Sequence, residues 1–553
     1  MAGKGRGDRQ IRYARILGLC FIVAGFAAIA FGWSGAARVA CPDCQLPYLL
    51  SGGAAGLGLV IVGAIALIIA QIRAAPADLR AEAAGGHPFV IRDVKAGGDR
   101  MTPTPPEQGD TTVEPSIAVN PRNPANVVAV YQEGRVDAGG DQDNGYASTF
   151  DGGRTWRHGQ LPGLTPVVGG PWDRASDPVV AFGPSGVVYA NSLVFDEGTT
   201  TSPSGVAVNV STDGGRTWSQ PTYPDNQQAN NLDDKNWITV DQRGAPGHHK
   251  GRVYAVWDRI AGVFVSYSDD RAKTWTPATE VYSGQGIGAI PLVLPSGDLA
   301  VVFETLTQPE EGPEAERGLR VRGAEQPGTS IHVVLAVAHG AGRLPTGAPP
   351  VFGQAITINT NRGNPIRKQR AGGLPTAGVN GRTGRIYVGW EDGRFRKDRA
   401  NDAVVTWSVN GAHTAWHKLV PVNPRPRNDW VDHYNTTLAV GHDGSLRVGY
   451  LVRREAPKAS TFSHFVDVAY QQSFDGGRTF SPPMRIDRRR ADVRFAAFSR
   501  NGAFFGDYDQ LAPAGTRTYV ATCRSYRLRP NEPATFPPSV HHQRTWVTVL
   551  GGG

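Results

Sequence analysis

Ser148-Thr149-Phe150-Asp151-Gly152-Gly153-Arg154-Thr155-Trp156 returns almost unchanged as Ser211-Thr212-Asp213-Gly214-Gly215-Arg216-Thr217-Trp218 and as Ser473-Phe474-Asp475-Gly476-Gly477-Arg478-Thr479-Phe480. A looser copy is Ser268-Asp269-Asp270-Arg271-Ala272-Lys273-Thr274-Trp275. Each follows an alternating strand pattern. The Asp can accept hydrogen bonds from nearby backbone N–H groups. The glycines permit positive φ where the chain reverses, and the closing aromatic packs down between sheets. One Asp-Gly-Gly is a generic hairpin signal, whereas repetition at this fidelity marks a repeat fold. The structural residues of these turns are read as Asp151 and Trp156, Asp213 and Trp218, Asp269 and Trp275, and Asp475 and Phe480.

Working outward, a quieter unit recurs: a strand, a Gly/Asn/Pro turn, and a second strand ending in polar residues. Pro115–Tyr131, Pro178–Ala190, Trp237–Trp257, Ile290–Phe303, Pro375–Trp390, Thr437–Tyr450 and Gln510–Ala521 are its seven copies, each followed by a third strand. Four strands per unit describe the blades of a β-propeller. The reading is an all-β, single-ring β-propeller of four-stranded blades over residues 113–550, seven in number with six as the alternative count. The last unit lacks a fourth strand before the chain stops, and Pro88–Asp93 is the candidate to supply it from the N-terminal side.

The 553 residues include 69 Gly and 41 Pro with 19% charged residues, which suits a turn-rich β protein. The net charge is +8, of which the first 100 residues carry +5 (11 Lys/Arg against 6 Asp/Glu), so no broad basic face is expected and a nucleic-acid partner is excluded. Residues 1–15 form a basic tail. Apolar runs at 16–33 and 48–72 are long enough, or nearly so, to cross a bilayer. They predict a two-helix transmembrane hairpin, a multi-pass cell-membrane location and the lipid bilayer as a partner, with the side occupied by the ring left open. Cys41-Pro42-Asp43-Cys44 in the loop between the runs is a lone CxxC without a second pair to complete a zinc site. Residues 73–112 are read as a linker.

The repeated turns resemble the Asp-box (BNR) repeat of the sialidase-like β-propellers. The resemblance covers the repeat array and implies the fold more firmly than an activity. With A the innermost strand of each blade, the A–B turn and the Asp-box lie at one end, so residues just before A and just after B share the opposite rim. These are ionic: Glu114, Asp177, Asp233, Asp234, Lys235, Asp432, Asp507 and Asp509 before A, and Glu133, Arg135, Asp258, Arg259, Glu391, Asp392 and Arg394 after B. Sialidases hold a substrate carboxylate with three arginines and use a Tyr–Glu nucleophile with an Asp acid. Carried over, the resemblance implies Arg135, Arg259 and Arg394 as ligand-binding, with Asp258 and Asp392 beside them. It implies Asp177, Tyr508, Tyr434 and Glu133 as catalytic candidates. The Arg-Ile-Pro element near the first sialidase arginine is absent. The alternative for these charges is mutual pairing around the ring (Glu133/Arg135, Asp258/Arg259, Asp392/Arg394). No cofactor is expected; a Ca²⁺ site from the clustered carboxylates is open but has no EF-hand-like spacing. The functional expectation is a membrane-anchored propeller binding a carbohydrate or other polar ligand on the face opposite the Asp-boxes. The alternatives are an exo-glycosidase of sialidase type and a non-catalytic protein-interaction scaffold.

Overall fold

The computed structural model describes residues 87–552 except 104–105, 198–202, 228–231, 260–261, 308–329, 372, 410–414, 424–427, 456–462, 500–501 and 529–540. Before residue 87 it describes only 19–31, 33–34, 37–38, 57, 59–62 and 64. Two compact units result, Met1–His87 and Pro88–Gly551.

The pieces described before residue 87 are helical but for Arg38. No helix among the described residues is long and apolar enough to cross a membrane. The longest continuous piece, 19–31, reaches about 20 Å at ~1.5 Å per residue, against a hydrocarbon core of about 30 Å. The expected transmembrane hairpin, the multi-pass location and the bilayer partner are corrected accordingly. The rest of both apolar runs, and Cys41 and Cys44, lie outside the described residues.

The second unit is all-β. Blade 1 comprises Glu107–Val119, Val127–Val136, Asp141–Thr149 and Arg157–Gln160; blade 2, Arg174–Phe182, Val188–Phe195, Ser204–Ser211 and Thr222–Gln227. Blade 3 comprises Asp233–Val240, Val253–Arg259, Gly262–Ser268 and Thr279–Tyr282; blade 4, Gly286–Val293, Leu299–Thr307, Ser330–Ala338 and Ile356–Asn361. Blade 5 comprises Thr376–Val379, Ile386–Asp392, Asp402–Trp407 and Val420–Pro421; blade 6, Val431–Val440, Leu446–Arg454, Phe465–Ser473 and Met484–Arg485. Blade 7 takes Gln510–Ala514, Arg517–Ser525 and Gln543–Gly551 from the C-terminal side and Phe89–Gly97 from the N-terminal side. Each is an antiparallel meander, and the innermost strands touch in cyclic order from blade 1 to blade 7 and back.

Face-to-face stacking explains the apolar second strands. In Val127–Val136 every residue is buried because both faces are covered. Val127, Ala129 and Tyr131 pack with Tyr519, Val547 and Val549 of blade 7, and Val128 and Val130 with Phe182, Val188 and Ala190 of blade 2. Alternation survives, but both sides of it are core. Polar stitches cross the same seams. Fully buried Arg447 of blade 6 donates to the carbonyls of Arg517 and Gly515 in blade 7, at 2.6 and 2.8 Å.

Four turns share one hydrogen-bond scheme. In the first, the Thr149 hydroxyl donates to Asp151 Oδ1 (2.8 Å) and accepts from Gly153 N (3.0 Å). Asp151 also accepts from the N–H groups of Arg154 (2.8 Å) and Thr155 (3.0 Å) and from the Thr155 hydroxyl (2.7 Å). Asp213 and Asp475 repeat it. In the looser copy the acid is Asp270, bonded to Ser268 and Thr274. The assignment to Asp269 is therefore corrected: Asp269 lies one residue early and pairs with Arg252 (2.7 Å) instead. Arg271 and Ala272 occupy the Gly-Gly positions and keep positive φ, 65° and 61°, at a cost that glycine would avoid.

The innermost strands carry a second recurring irregularity. Pairing with the next strand skips two residues at Glu114-Pro115, Asp177-Pro178, Lys235-Asn236, Gly288-Ala289 and Asn435-Thr436, in blades 1, 2, 3, 4 and 6. The first residue of each pair has positive φ: 52°, 44°, 37°, 72° and 47°. These bulges re-aim side chains at the end of the ring opposite the Asp-boxes.

Candidate functional site

Residues at the bulges of blades 3, 4 and 6 and at the equivalent positions of blades 5 and 7 line one cavity. It is lined by Lys235, Asn236, Trp237, Gly288, Ile290, Leu374, Pro375, Thr376, Asn435, Thr436, Asp507, Tyr508 and Asp509. Its volume is about 30 Å³, room for one or two hydroxyl-sized groups.

Lys235 is the hub of its charged side. The ammonium lies 2.6 Å from Asp177 Oδ1, 3.0 Å from Asp507 Oδ2 and 3.2 Å from Glu114 Oε1, so blades 1, 2, 3 and the entry to blade 7 meet at one nitrogen. Arg370 grips Asp507 from above, Nη2 to Oδ2 at 2.5 Å and Nε to Oδ1 at 3.2 Å. It belongs to a small extra sheet, where Gln369–Arg370 runs parallel to Gly502–Phe504, itself paired with Ala497–Ser499. Gln132 donates to Glu114 and, at 3.0 Å, to Ser176, whose hydroxyl donates to Asp177 (2.9 Å).

The acids here are pushed apart. Burial, then the charge of Asp177, raise Glu114 to about 8 against the pull of Lys235. Asp507 is equally buried, but Arg370 and Lys235 overcome the desolvation and hold it well below the carboxylate range. Burial raises Asp509 to about 7, with the Asn435 side chain pulling the other way. Lys235 is driven well above its ordinary value, because the charges of Asp177, Asp507 and Glu114 outweigh its desolvation. The upward shift of Glu114 lessens the negative charge that must be buried around Lys235 and Arg370.

Beside the charges stand uncommitted polar atoms. Asn236 donates to Asn191 Oδ1 (2.6 Å) and to the Asp177 carbonyl (3.0 Å), but its own Oδ1 has no partner among the described residues, nor has Thr436 Oγ1. Both residues are buried and line the cavity. Trp237 meets Tyr508 edge-on at 5.6 Å and completes the apolar wall.

Of the sequence candidates, Asp177 and Tyr508 come together here. The Tyr508 hydroxyl donates to the Pro178 carbonyl (3.2 Å). Burial, then Glu114 and Asp177, raise the phenol well above its ordinary value. Tyr434 points into the blade 6 core, its hydroxyl on Gln369 (3.1 Å). Glu133 is buried in blade 1 and takes a hydrogen bond from Gln160 (3.1 Å). The three arginines are each engaged by neighbouring acids. Arg135 contacts Asp141 (3.4 Å) and the Gly140 carbonyl (3.1 Å). Arg259 holds Asp233 (2.7 Å) and Asp225, and Arg394 holds Asp392 (2.9 Å) and Asn359 (2.9 Å). Mutual pairing thus describes Arg394, whereas Arg135 and Arg259 pair with acids other than those adjacent in sequence. Asp258 accepts from Gly288 N (3.0 Å), tying blade 3 to the blade 4 bulge. No group of three metal-ligating side chains occurs among the described residues.

Glu114, Lys235, Asp507 and Asp509 stood among the rim residues, and their position just before strand A was the available signal. Nothing in the sequence pointed to Arg370, Asn236 or Thr436.

No family model matches the chain, and no curated protein matches it. Solved structures that resemble it include a PL25 ulvan lyase, at 12% identity and a TM-score of 0.44, covering 83% of this chain and 96% of the other. An α-L-arabinofuranosidase from Fusarium graminearum resembles it at 13% identity and a TM-score of 0.41, covering 68% and 97%. The NanB sialidase of Streptococcus pneumoniae does so at 10% identity and a TM-score of 0.40, covering 65% and 67%.

Proposed function

We propose that the ring binds a polyhydroxylated ligand of the carbohydrate class at the end opposite the Asp-boxes, with one end group entering the cavity between Lys235, Asn236, Thr436 and Tyr508. The observation that carries this is the pair of buried, unpartnered polar atoms, Asn236 Oδ1 and Thr436 Oγ1, on a cavity walled by Trp237. An unsatisfied buried hydroxyl costs folding free energy, and a ligand hydroxyl repays it on binding. The cavity admits one or two such groups, so the remainder of the ligand lies across the rim.

Binding is favoured over sialidase-type turnover. A tyrosine nucleophile needs a base to take its proton, whereas Tyr508 donates to a carbonyl and its acidity is suppressed. Arg135, Arg259 and Arg394 are already committed to protein acceptors.

The test is calorimetric titration of the whole chain with a panel of mono- and oligosaccharides, alongside release of a fluorogenic aglycone from sialosides and other glycosides. Thr436→Val keeps the shape and removes the hydroxyl. It is expected to weaken saccharide binding about tenfold, the equivalent of ~1.4 kcal/mol, while leaving the melting temperature equal or higher. Absence of saccharide binding, or binding indifferent to Thr436→Val, overturns the reading. Aglycone release that Asp177→Asn abolishes would replace it with hydrolysis.

A further inference from the structure

We propose that the ring end over blades 6 and 7 is an extended binding surface for an acidic polysaccharide, one bearing uronate or sulfate groups; this rests on the carbohydrate reading of the adjoining cavity. The connection from blade 6 to blade 7 reads Arg485-Ile486-Asp487-Arg488-Arg489-Arg490-Ala491-Asp492-Val493-Arg494. The carboxylates of the connection and of the neighbouring strand are already spent. Asp467 serves Arg485 (3.3 Å) and Arg490 (2.6 Å), Asp487 serves Arg485 (3.2 Å), and Asp492 serves Arg494 (2.7 Å). Arg454, Arg488 and Arg527 are exposed, and no carboxylate among the described residues pairs with them.

These cations form one sector. The Phe465–Asp492 register puts the connection beside the third strand of blade 6. The Arg454 carbonyl accepts from Ser463 N just before that strand (3.0 Å). Arg489 donates to the Arg527 carbonyl (2.9 Å), and its guanidinium carbon lies 3.4 Å from the centre of the Tyr526 ring. Two phenylalanines are exposed in the same sector, Phe465 at 41% and Phe498 at 46%, with the Arg490 guanidinium 5.2 Å from the first ring. Guanidinium groups bind planar or tetrahedral oxyanions through paired N–H donors. Exposed aromatic faces offer a flat apolar surface against which a sugar ring can lie.

The sector leads into the cavity. Phe498 pairs with Ala503, Ala503 with Gln369, and the next residue, Arg370, grips Asp507 on the cavity wall. A chain whose hydroxylated end sits by Thr436 therefore continues outward over arginines and phenylalanines. This continuity favours a polysaccharide over other polyanions.

The experiment measures fluorescence anisotropy of labelled polygalacturonate and dextran sulfate with the whole chain. Neutral dextran of matched length, phosphatidylserine vesicles and a single-stranded oligonucleotide are the comparisons. At least one acidic polysaccharide is expected to bind at least about tenfold more tightly than neutral dextran, with affinity falling as salt rises. The triple variant Arg454→Ala, Arg488→Ala, Arg527→Ala is expected to remove that preference with an unchanged melting temperature. Equal binding of acidic and neutral chains, or a triple variant that binds like the parent, overturns the proposal. So does tighter binding of vesicles or oligonucleotide than of any polysaccharide. Failure of the cavity reading shows differently, as loss of the Thr436→Val effect while the triple variant still lowers acidic-chain affinity.

Discussion

At the scale of single residues, this chain uses acids in two opposite ways. The Asp-box acids are surrounded by donors. Asp270 is held at about 2, because hydrogen bonds from Thr274, Ser268 and Lys273 outweigh its desolvation. Asp270→Ala is expected to cost about 0.5–1.5 kcal/mol by removing those hydrogen bonds, checked by urea unfolding. Asp269→Ala instead leaves Arg252, fully buried, without its carboxylate, and the two variants should not be additive because they share one hairpin. Lys235→Met leaves Asp177, Asp507 and Glu114 without their common cation and is expected to cost about 3–5 kcal/mol. The turn acids were legible because their partners lie within four residues. The off-by-one at Asp269 came from a doublet that composition alone cannot break. The Lys235 partners come from three other blades or their connections, separations of 58 and 121 residues for Asp177 and Glu114, and no local pattern reports them.

Among elements, the blade is the unit the sequence displays best, since its strands follow one another and its turns recur. The apolar second strands were equally visible. The bulge that interrupts the pairing of the innermost strand was not. It looks like an ordinary strand start, and only the positive φ of Glu114, Asp177, Lys235 and Asn435 shows the side chains turned inward. The strand Phe89–Gly97 has a latch of its own. Buried Asp93 accepts from Arg524 (2.8 Å), Thr548 (2.8 Å) and the Arg488 backbone (2.8 Å). Asp93→Ala unpairs fully buried Arg524 and is expected to destabilise by about 3–5 kcal/mol, with amide exchange accelerating first in blade 7. The apolar runs before residue 73 were read as spans from their length and hydropathy, whereas no helix among the described residues is long and apolar enough to cross a membrane.

For the whole molecule, the two kinds of acid set the pH response. The Asp-box acids have lowered folded values, so their stabilisation is complete above the unfolded value near 4 and is lost as pH falls through the folded ones. The buried acids are opposite in sign. Asp99 and Asp234 are raised to about 6, Asp141 and Asp509 to about 7, and Glu114 and Asp432 to about 8, all chiefly by burial. The folded state binds more protons than the unfolded one from about pH 4 to 8, so stability falls across that window. The melting temperature is expected to peak on the acid side of neutrality, and Glu114→Gln should flatten part of the decline towards pH 8. The strand that closes the ring carries a further consequence. Phe89 sits directly opposite Gly551, so the first and last strands of the ring are neighbours in one sheet. A short linker joining them, with the chain reopened at the tip of any Asp-box, preserves every blade and moves the seam elsewhere. Such a circular permutant makes blade 7 continuous, and a slower loss of structure than in the parent chain would locate the barrier to unfolding in the separation of Phe89–Gly97 from its partner.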